Sequence, residues 1–425
     1  MVHMRWTYAA AVTRPTDAAS VTIADIDDAA QRLRGIIRPT PTQFADSISR
    51  ALGREIALKP EHTQRAGSFK IRGAYNRISR LPPGEEVVAG SAGNHAQGVA
   101  LASSLTKRHS TIYMPEAASL PKINATQEYG ARVVVGGSTV DDCIVLARAH
   151  SERTGAVFVP PFDDPLVIAG QGTVGLELAN ELQQFGWFEK GSPTVTVLIP
   201  IGGGGLIAGT ALALRSRFAG VRIIGVEAEG AASMRRSLDA HTVVRLDAVS
   251  TMADGIALKA PSLLTFTMTE AFVDDVVTVT EEEISQAVLL LVERAKAVVE
   301  PSGAVGLAAL MSGRVPDDGP AAVVLSGGNV DPLLLTNIVG HGLSAAGRYL
   351  RLRIVAPDRP GSLAALTAAV ARLGLNVLDV EHHRTGVALG VNEVEMLLTV
   401  ETRSPGHRDQ ILSSLTDAGF RAELL

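Results

Sequence analysis

One lysine of this sequence stands where an amine could do covalent chemistry. Lys70 lies within residues 65–76, where a polar turn containing glycine leads into a periodic helical run, so its amine is expected near a helix start. Phe69 precedes it, and a loop of small residues follows downstream. The chain has seven lysines among 39 basic residues, and we interpret most of the others as surface groups. Lys70 has the setting of a nucleophile bonded to a flat anionic cofactor.

The strongest pattern for anion binding is a run of four glycines followed by Leu206. It stands between an apolar stretch, residues 194–199, and a predicted helix. Contiguous glycines let successive backbone N–H groups converge on an anion at a helix N-terminus, where the helix dipole also favours negative charge. No Gly-Lys-Ser/Thr follows, so this is not a Walker loop. The pattern therefore predicts a phosphate site.

Two further loops offer polar groups at predicted strand ends. Residues 91–98 could present N–H groups and hydroxyls to a substrate carboxylate, and the Asn94 amide could reach a phenolic oxygen on a ring. Ser326 follows an apolar strand and precedes two glycines, a position that suits a helix cap and a ligand contact equally. A lysine, a glycine cradle, an aromatic neighbour and a strand-end hydroxyl are together the parts that pyridoxal phosphate requires.

The elements that must position these groups alternate between strand and helix from residue 87 to residue 227. This order predicts parallel sheets with helices on their faces. Because the strands exceed what one sheet needs, we expect two lobes with a cofactor cleft at the carboxyl ends of the strands. Among the predicted helices are residues 22–34, with Thr22 as the cap, residues 173–185 and a long helix over 281–299.

The last part of the chain, after a composition change at residues 340–347, has a different pattern. Strands are predicted near residues 349–355, 377–383, 394–400 and 420–424, and helices near 363–373 and 407–418. The order is βαββαβ. We therefore predict a small ferredoxin-like domain.

Composition excludes several classes of function. The net charge of −5 gives no basic field for nucleic acid or anionic membranes. Cys143 is the only cysteine, so disulfides and zinc ribbons are excluded, and we expect a buried small apolar group. No apolar run is long enough to span a membrane. We expect a cytoplasmic protein with a flexible tail over residues 1–20.

Five motifs together resemble the threonine/serine dehydratase family of fold-type II pyridoxal-phosphate enzymes. They cover residues 68–74, 91–98, 202–206, 253–257 and 326–329, in the family's order. The resemblance runs from about residue 20 to residue 340. From Tyr349 onward, residues 358–361 resemble an ACT regulatory domain, and residues 376–383 resemble the version fused to dehydratases of the catabolic type.

The resemblance implies an α/β fold of the tryptophan synthase β type, with two lobes. It implies a catalytic domain over 21–342, in which a small lobe near 60–155 is inserted in the large lobe, and an ACT-like domain over 348–425. Glu227 ends a strand beyond which related enzymes hold a divalent cation with further acids. Here Ala231, Ala232 and Ser233 follow. We therefore expect no metal.

The resemblance also implies a role for each motif residue. Lys70 would be the Schiff-base lysine, Phe69 would pack on the cofactor ring, and Asn94 would bond the ring oxygen. Ser326 would face the pyridine nitrogen. The phosphate would be held by five consecutive residues: Gly202, Gly203, Gly204, Gly205 and Leu206. The substrate carboxylate would be bordered by four residues: Ser91, Ala92, Gly93 and His95.

The expected activity is β-elimination of threonine, and of serine, to a 2-oxo acid and ammonia. A neutral hydroxyl at Ser326 cannot hold the ring nitrogen protonated as a carboxylate would, which disfavours transamination. A serine racemase, a 3-hydroxyaspartate ammonia-lyase and a β-replacement synthase remain open on the same scaffold, as does a non-catalytic amino-acid sensor. We expect a homodimer or homotetramer that binds an amino-acid effector, such as isoleucine or valine, between two tail domains.

Overall fold

The structure is a computed structural model and describes residues 21–189, 191–316, 318–345, 348–384, 389–402 and 405–425. The expected tail over residues 1–20 lies outside the described residues. The described chain forms two parallel sheets covered by helices, followed by one antiparallel sheet.

The large-lobe sheet has six strands in the order β1-β2-β10-β7-β8-β9. All neighbours are parallel except β1 and β2. Strands β2, β7 and β10 are buried at every residue, as expected for parallel strands covered on both faces. The strands are β1 Gln43–Phe44, β2 Ile56–Lys59, β7 Thr196–Pro200, β8 Arg222–Ala228, β9 Asp275–Val279 and β10 Ala321–Val324.

The small-lobe sheet lies between β2 and β7 in the sequence and has four parallel strands in the order β5-β4-β3-β6. Its strands are β3 Val87–Gly90, β4 Ser110–Met114, β5 Arg132–Val135 and β6 Val157–Phe158. The carboxyl end of β3 carries the loop that leads to Asn94. This placement brings the small-lobe loop to the edge of the sheet where a cleft is expected.

The helices pack on both sheets. Up to the end of the small lobe they are α1 Ile23–Leu33, α2 Asp46–Leu52, α3 Lys70–Ile78, α4 Asn94–Leu105, α5 Leu120–Glu128 and α6 Val140–Thr154. The remaining helices of the catalytic region are α7 Pro165–Gln184, α8 Gly205–Arg217, α9 Ser233–Ala240, α10 Leu263–Phe272, α11 Glu281–Leu290, α12 Pro301–Met311 and α13 Pro332–Ala345. The predicted cap of α1 is confirmed, because the Thr22 side chain accepts a hydrogen bond from the Asp25 backbone N–H.

Two helix predictions were wrong in their limits. Helix α7 begins at Pro165 and not at Thr173, because the Asp164 side chain accepts hydrogen bonds from Leu166 and Val167 and so caps an earlier start. The helix predicted over 281–299 ends early. α11 passes into a π-helical turn at Leu291–Ala295, and the chain is extended where it approaches Pro301, a residue that disfavours helix before it.

The C-terminal domain has the predicted order βαββαβ. Its antiparallel sheet runs β12-β13-β11-β14, with α14 and α15 supplying apolar residues to its core. Its elements are β11 Tyr349–Pro357, α14 Ser362–Arg372, β12 Val377–His383, β13 Glu393–Glu401, α15 Pro405–Asp417 and β14 Arg421–Leu424.

Two expectations from composition can be compared with this fold. Cys143 is buried, as expected, and its thiol donates a hydrogen bond to the Gly136 carbonyl at 3.3 Å. Within the part of the chain that the structure describes, no helix combines the length and the apolar character that a membrane span needs.

Candidate active site

The loop before α3 fixes the position of Lys70. Ala66 and Gly67 both have positive φ, at 59° and 68°, which turns the chain sharply into the helix. The Phe69 N–H donates to the Ser326 carbonyl at 3.2 Å, and Ser68 forms a β-bridge with Gly327. The Lys70 loop is therefore held against the chain that leaves β10, and two distant motifs meet.

The Lys70 side chain is partly buried at this junction. Its Nζ donates a hydrogen bond to the Pro161 carbonyl at 2.9 Å and lies 5.2 Å from the centroid of the Phe69 ring. Burial lowers the pKa of Lys70 to about 8, against the opposing effect of the Glu300 carboxylate. A larger fraction of this amine is therefore neutral, and nucleophilic, than in an ordinary lysine.

A buried ion network lies behind the Lys70 helix. Arg72 is fully buried and makes paired hydrogen bonds to Glu61, at 2.8 and 2.7 Å, and to Glu177, at 2.6 and 2.9 Å. Lys59 is also fully buried and pairs with Glu177 and Glu181. Lys59 is therefore one of the lysines that is not a surface group. The network pins α3, and with it Lys70, to α7.

The glycine run forms a bare backbone turn at the start of α8. Gly204 is left-handed, with φ of 89°, and no side chain caps the helix that begins at Gly205. A Cβ added at Gly203 would lie 2.2 Å from the Phe162 ring. The run therefore has to be glycine for packing reasons, and it leaves the first N–H groups of α8 open to an anion.

The cleft between the lobes gathers most of the predicted site. Phe69, Lys70, Asn94, Gly202, Gly203, Gly204, Gly205, Leu206 and Ser326 all line it. Ser91, Ala92, Gly93 and His95 are not among its lining residues. The first three lie in the loop before α4, and His95 lies in the first turn of that helix. Among the lining side chains that sequence reasoning missed are Phe162, Glu300 and Ser302. An acidic residue directly before a helix-starting proline was the available signal for Glu300.

Glu300 connects the two lobes inside the cleft. Its Oε1 accepts a hydrogen bond at 2.7 Å from the Nδ2 of Asn94, and the Oδ1 of Asn94 accepts one at 2.8 Å from the Nδ2 of Asn329. Burial and the nearby Asp254 carboxylate raise the pKa of Glu300 to about 7. Ser302 is 1% exposed, and its hydroxyl has no hydrogen-bond partner among the described residues.

The small-lobe loop beside the cleft is ordered by its own contacts. The Gly93 N–H donates to the Ser91 hydroxyl at 3.2 Å, and a ring nitrogen of His95 lies 2.9 Å from the Val159 carbonyl. Burial, together with the charge on Lys70, lowers the pKa of His95 to about 3. His95 is therefore neutral at physiological pH and serves as a hydrogen-bonding group.

Comparison with known proteins decides the family. Residues 33–327 match the sequence pattern described as pyridoxal-phosphate-dependent enzyme, and residues 350–417 match the ACT domain. The chain belongs to the pyridoxal-phosphate-dependent enzymes. Both the predicted two-lobed fold and the predicted C-terminal ACT domain are confirmed.

Three members of this enzyme family illustrate the similarity. The L-threonine ammonia-lyase of Geobacter sulfurreducens is 43% identical, over 94% of this chain and 98% of the relative. The L-threonine ammonia-lyase of Thermotoga maritima is 42% identical, over 95% of this chain and 100% of the relative. A solved threonine deaminase from T.th. is 40% identical with a TM-score of 0.68, and the match covers 73% of this chain and 99% of that one.

The cleft fits the family's cofactor. The start of α8 has no side-chain cap and follows a glycine turn, so its free N–H groups can bind a phosphate. The Lys70 amine, whose pKa is lowered by burial, can attack the carbonyl carbon of the cofactor. The unpartnered Ser302 hydroxyl is a further group available to a polar ligand. The cleft therefore contains both groups that pyridoxal phosphate needs, a phosphate site at the start of α8 and the amine of Lys70.

Glu227 has a structural role in this pyridoxal-phosphate enzyme. It is fully buried, and its two carboxylate oxygens accept hydrogen bonds from the N–H groups of Met234 and Arg235, each at 2.8 Å. It thereby holds the start of α9. Within the described ranges, no group of three or more His, Cys, Asp and Glu side chains is arranged to hold a metal ion.

Proposed function

We propose that the protein is a pyridoxal-phosphate-dependent threonine ammonia-lyase that also accepts serine. The observation that carries the proposal is the placement of the Lys70 amine in the same cleft as the uncapped start of α8. The two ammonia-lyases that match over nearly their whole length support the substrate class. The net reaction would convert threonine to 2-oxobutanoate and ammonia, and isoleucine biosynthesis would use the 2-oxobutanoate.

Each cleft residue receives a proposed task. Bound pyridoxal phosphate supplies an electron sink that acidifies the substrate Cα–H. The Nζ of Lys70 would carry the cofactor and accept the Cα proton, with Phe69 against the ring. Gly202, Gly203, Gly204, Gly205 and Leu206 would hold the phosphate, Asn94 and Ser326 would contact the ring, and Ser91, Ala92, Gly93 and His95 would border the substrate carboxylate.

Product analysis tests the activity. The purified chain, loaded with pyridoxal phosphate, is incubated with L-threonine and with L-serine, and 2-oxo acid and ammonia are measured together. Equal amounts of 2-oxobutanoate and ammonia from threonine are the expected result. D-serine without ammonia would indicate a racemase, cysteine formed from serine and sulfide would indicate a β-replacement synthase, and an unaltered substrate would indicate a sensor.

We propose that the ACT domain binds a small amino acid. A cavity of about 420 Å³ at one end of its sheet is lined by Arg348, Gly374, Leu375, Asn376, Glu401 and Thr402. A guanidinium suits the carboxylate of an amino acid, whereas a carboxylate and the adjacent C-terminal end of α14 suit its ammonium. Arg348 also lies 3.6 Å from Glu293 of the catalytic region, so a ligand carboxylate would compete with that contact.

We also propose a homodimer or homotetramer in which two ACT domains share the effector site. Residues 358–361 and 375–376 lie at opposite ends of β11 within one chain, because Asp358 follows this strand while Asn376 bonds Glu401, the partner of Tyr349. A site containing both segments therefore needs two copies. The edge strand β12 is exposed at every residue, including Leu378 at 50%, and is available for pairing.

The domain division and cellular location complete the proposal. We place the catalytic domain at residues 21–342, with the small lobe near 60–155, and the regulatory domain at 348–425. We place the enzyme in the cytoplasm, where a lone buried thiol stays reduced. Limited proteolysis, with mass analysis of the fragments, tests the boundary between 342 and 348.

A further inference from the structure

The Glu300 carboxylate has no task in the proposed reaction, although it lies inside the cleft. The residue is 3% exposed, and its backbone is fixed by a hydrogen bond from its N–H to the Gly327 carbonyl at 3.1 Å. Within the described part of the chain, its side chain accepts one hydrogen bond, from Asn94, and forms no ion pair. A carboxylate buried in this way is costly, so its presence points to a role in the site.

The contacts around Asn94 determine which end of its amide faces Glu300. The Nδ2 of Asn329 lies 2.8 Å from the Ala66 carbonyl, which can only accept, so this nitrogen is a donor. The same nitrogen lies 2.8 Å from the Oδ1 of Asn94. The Asn94 oxygen is therefore engaged, and its N–H₂ group is left for Glu300 and the cleft.

The contact between Glu300 and Asn94 leaves no room for a side chain at Gly327. A Cβ at this position would lie 2.5 Å from the Oε1 of Glu300 and 2.8 Å from the Nδ2 of Asn94. Any side chain here would therefore separate the two groups. The glycine that follows Ser326 thus allows the large lobe and the small lobe to share a hydrogen bond beside Lys70.

The charges that face Glu300 come from three other elements. Asp254 lies in the 3₁₀ turn Asp254–Ile256, Lys122 lies on α5 and pairs with Asp254, and Lys70 begins α3. Burial and Asp254 oppose ionisation, while Asn94, Lys122 and Lys70 favour it, and the resulting pKa is about 7. The carboxylate therefore loses its negative charge when the pH falls through the neutral range.

We propose that Glu300 is a positioning residue that, together with Asn329, holds the Asn94 amide with its N–H₂ group toward the cofactor. The ionised carboxylate accepts a hydrogen bond from Asn94 and adds a negative charge to the cleft, and the protonated acid lacks that charge. The inference deepens the proposed lyase function and rests on it for its catalytic relevance. Its tests measure the bound cofactor directly, so they do not depend on threonine turnover.

The first test is a pH titration of the absorbance of bound pyridoxal phosphate in the full-length holoenzyme. Glu300→Gln keeps an acceptor for Asn94 but cannot titrate. We expect an absorbance transition with a midpoint near pH 7 in the natural enzyme, and its loss in Glu300→Gln. Glu282→Gln, at an exposed acid on α11, is the matched control and should keep the transition. The same transition in Glu300→Gln would overturn the proposal.

The second test measures the dissociation constant of pyridoxal phosphate. Glu300→Ala and Asn329→Ala remove the partners of Asn94 from opposite sides, so each should weaken binding about 10-fold or more. Glu300→Gln should stay within about 3-fold of the natural enzyme, because the acceptor remains. Circular dichroism identifies any variant that fails to fold. If an alanine variant does not fold, the pH titration of Glu300→Gln still tests the proposal. Natural affinity in both folded alanine variants would overturn the proposal.

If threonine is not a substrate but the pH transition is present and specific to Glu300, the positioning role stands and the proposed activity fails. If threonine is turned over and the transition is unaltered in Glu300→Gln, the activity stands and the positioning role fails. The two results are therefore distinguishable in the same preparations.

Discussion

The catalytic region and the ACT domain differ in how they cover their sheets. Strands β2, β3, β7 and β10 are buried at every residue. In contrast, β13 alternates between buried and partly exposed positions, β11 contains both buried and exposed residues, and β12 is exposed throughout. A parallel sheet with helices on both faces has its core complete within one chain. An antiparallel sheet with one covered face and an open edge leaves surface that a second copy can cover.

The catalytic region and the ACT domain are expected to have different roles. The cleft gathers the Lys70 amine, the glycine run and Ser326 in one place. The ACT domain instead offers an open edge and a cavity that contains charges of both signs. We therefore expect changes in the cleft to act on catalysis, and changes in the ACT domain to act on assembly and on the response to effectors.

The largest expected effect is that of Lys70→Ala on turnover. Without the amine, neither cofactor attachment nor proton transfer at the substrate Cα remains, so kcat should fall by at least about 1,000-fold. The melting temperature and the oligomeric state, which depend on other regions, should stay close to natural. Lys107→Ala, just after α4, is the control and should leave turnover intact. Near-natural formation of 2-oxobutanoate by Lys70→Ala would refute the assignment of the site.

Gly203→Asp should separate cofactor binding from folding. The new side chain would meet the Phe162 ring and place a carboxylate where the phosphate dianion is expected, so the affinity for pyridoxal phosphate should fall about 100-fold or more. Nothing lies within 4 Å of a Cβ at Gly220, which makes Gly220→Asp a matched control. Equal cofactor content in the two purified variants would contradict the cradle.

The uptake of cofactor by the apo-protein should depend on pH through Lys70. Only the neutral amine attacks a carbonyl carbon, and burial favours that neutral form, so the initial rate should rise with pH and level off above a midpoint near 8. Stopped-flow absorbance at pH values from about 6.5 to 10.5, spanning the range between a shifted and an ordinary lysine, measures this rate. A rate that still rises steeply at the upper end would show that the amine titrates like a surface lysine.

Removing the ACT domain should break the link between the two regions. A chain ending at Ala345 keeps every residue of the cleft, so we expect a soluble enzyme with kcat within about 3-fold of natural and no response to isoleucine or valine. Size-exclusion chromatography should show a smaller assembly. A truncated enzyme with the full effector response would exclude the regulatory role of residues 348–425.

The smallest effect is expected for Arg348→Ala. The Arg348–Glu293 pair is half exposed, so its loss should shift basal activity by less than about 3-fold. The apparent affinity for the effector should fall more, by about 10-fold, because the carboxylate of the ligand loses its partner. Arg351→Ala, on an exposed position of β11, is the control. An unchanged effector response in Arg348→Ala would locate the ligand elsewhere.

Most of the proposed site residues that line the cleft stand in contiguous motifs of the sequence. Lys70 beside Phe69, the four glycines and Ser326 each stand in a local pattern whose conformation follows from the residues themselves. The alternation of apolar residues on β13 likewise predicted the ferredoxin-like sheet. Such features need no knowledge of distant contacts, because glycine content, helix starts and strand periodicity are all properties of short segments.

Features that depend on tertiary contacts were missed. Glu300 becomes part of the site only because Asn94 of the other lobe reaches it, and Phe162 does so only because it covers the glycine run. The burial of Lys59 depends on its ion pairs with Glu177 and Glu181, which lie far along the chain. The early start of α7 depends on the side chain of Asp164, which caps the helix at Pro165.

The buried ion network behind α3 restricts how this enzyme can change during evolution or design. Two cations, Lys59 and Arg72, share three carboxylates from Glu61, Glu177 and Glu181. Removing either cation would leave three carboxylates facing one positive charge, and breaking buried ion pairs in this way is strongly destabilising. Viable paths away from this arrangement must therefore replace several positions at once, so these five residues are expected to be inherited, transplanted or redesigned as a single unit.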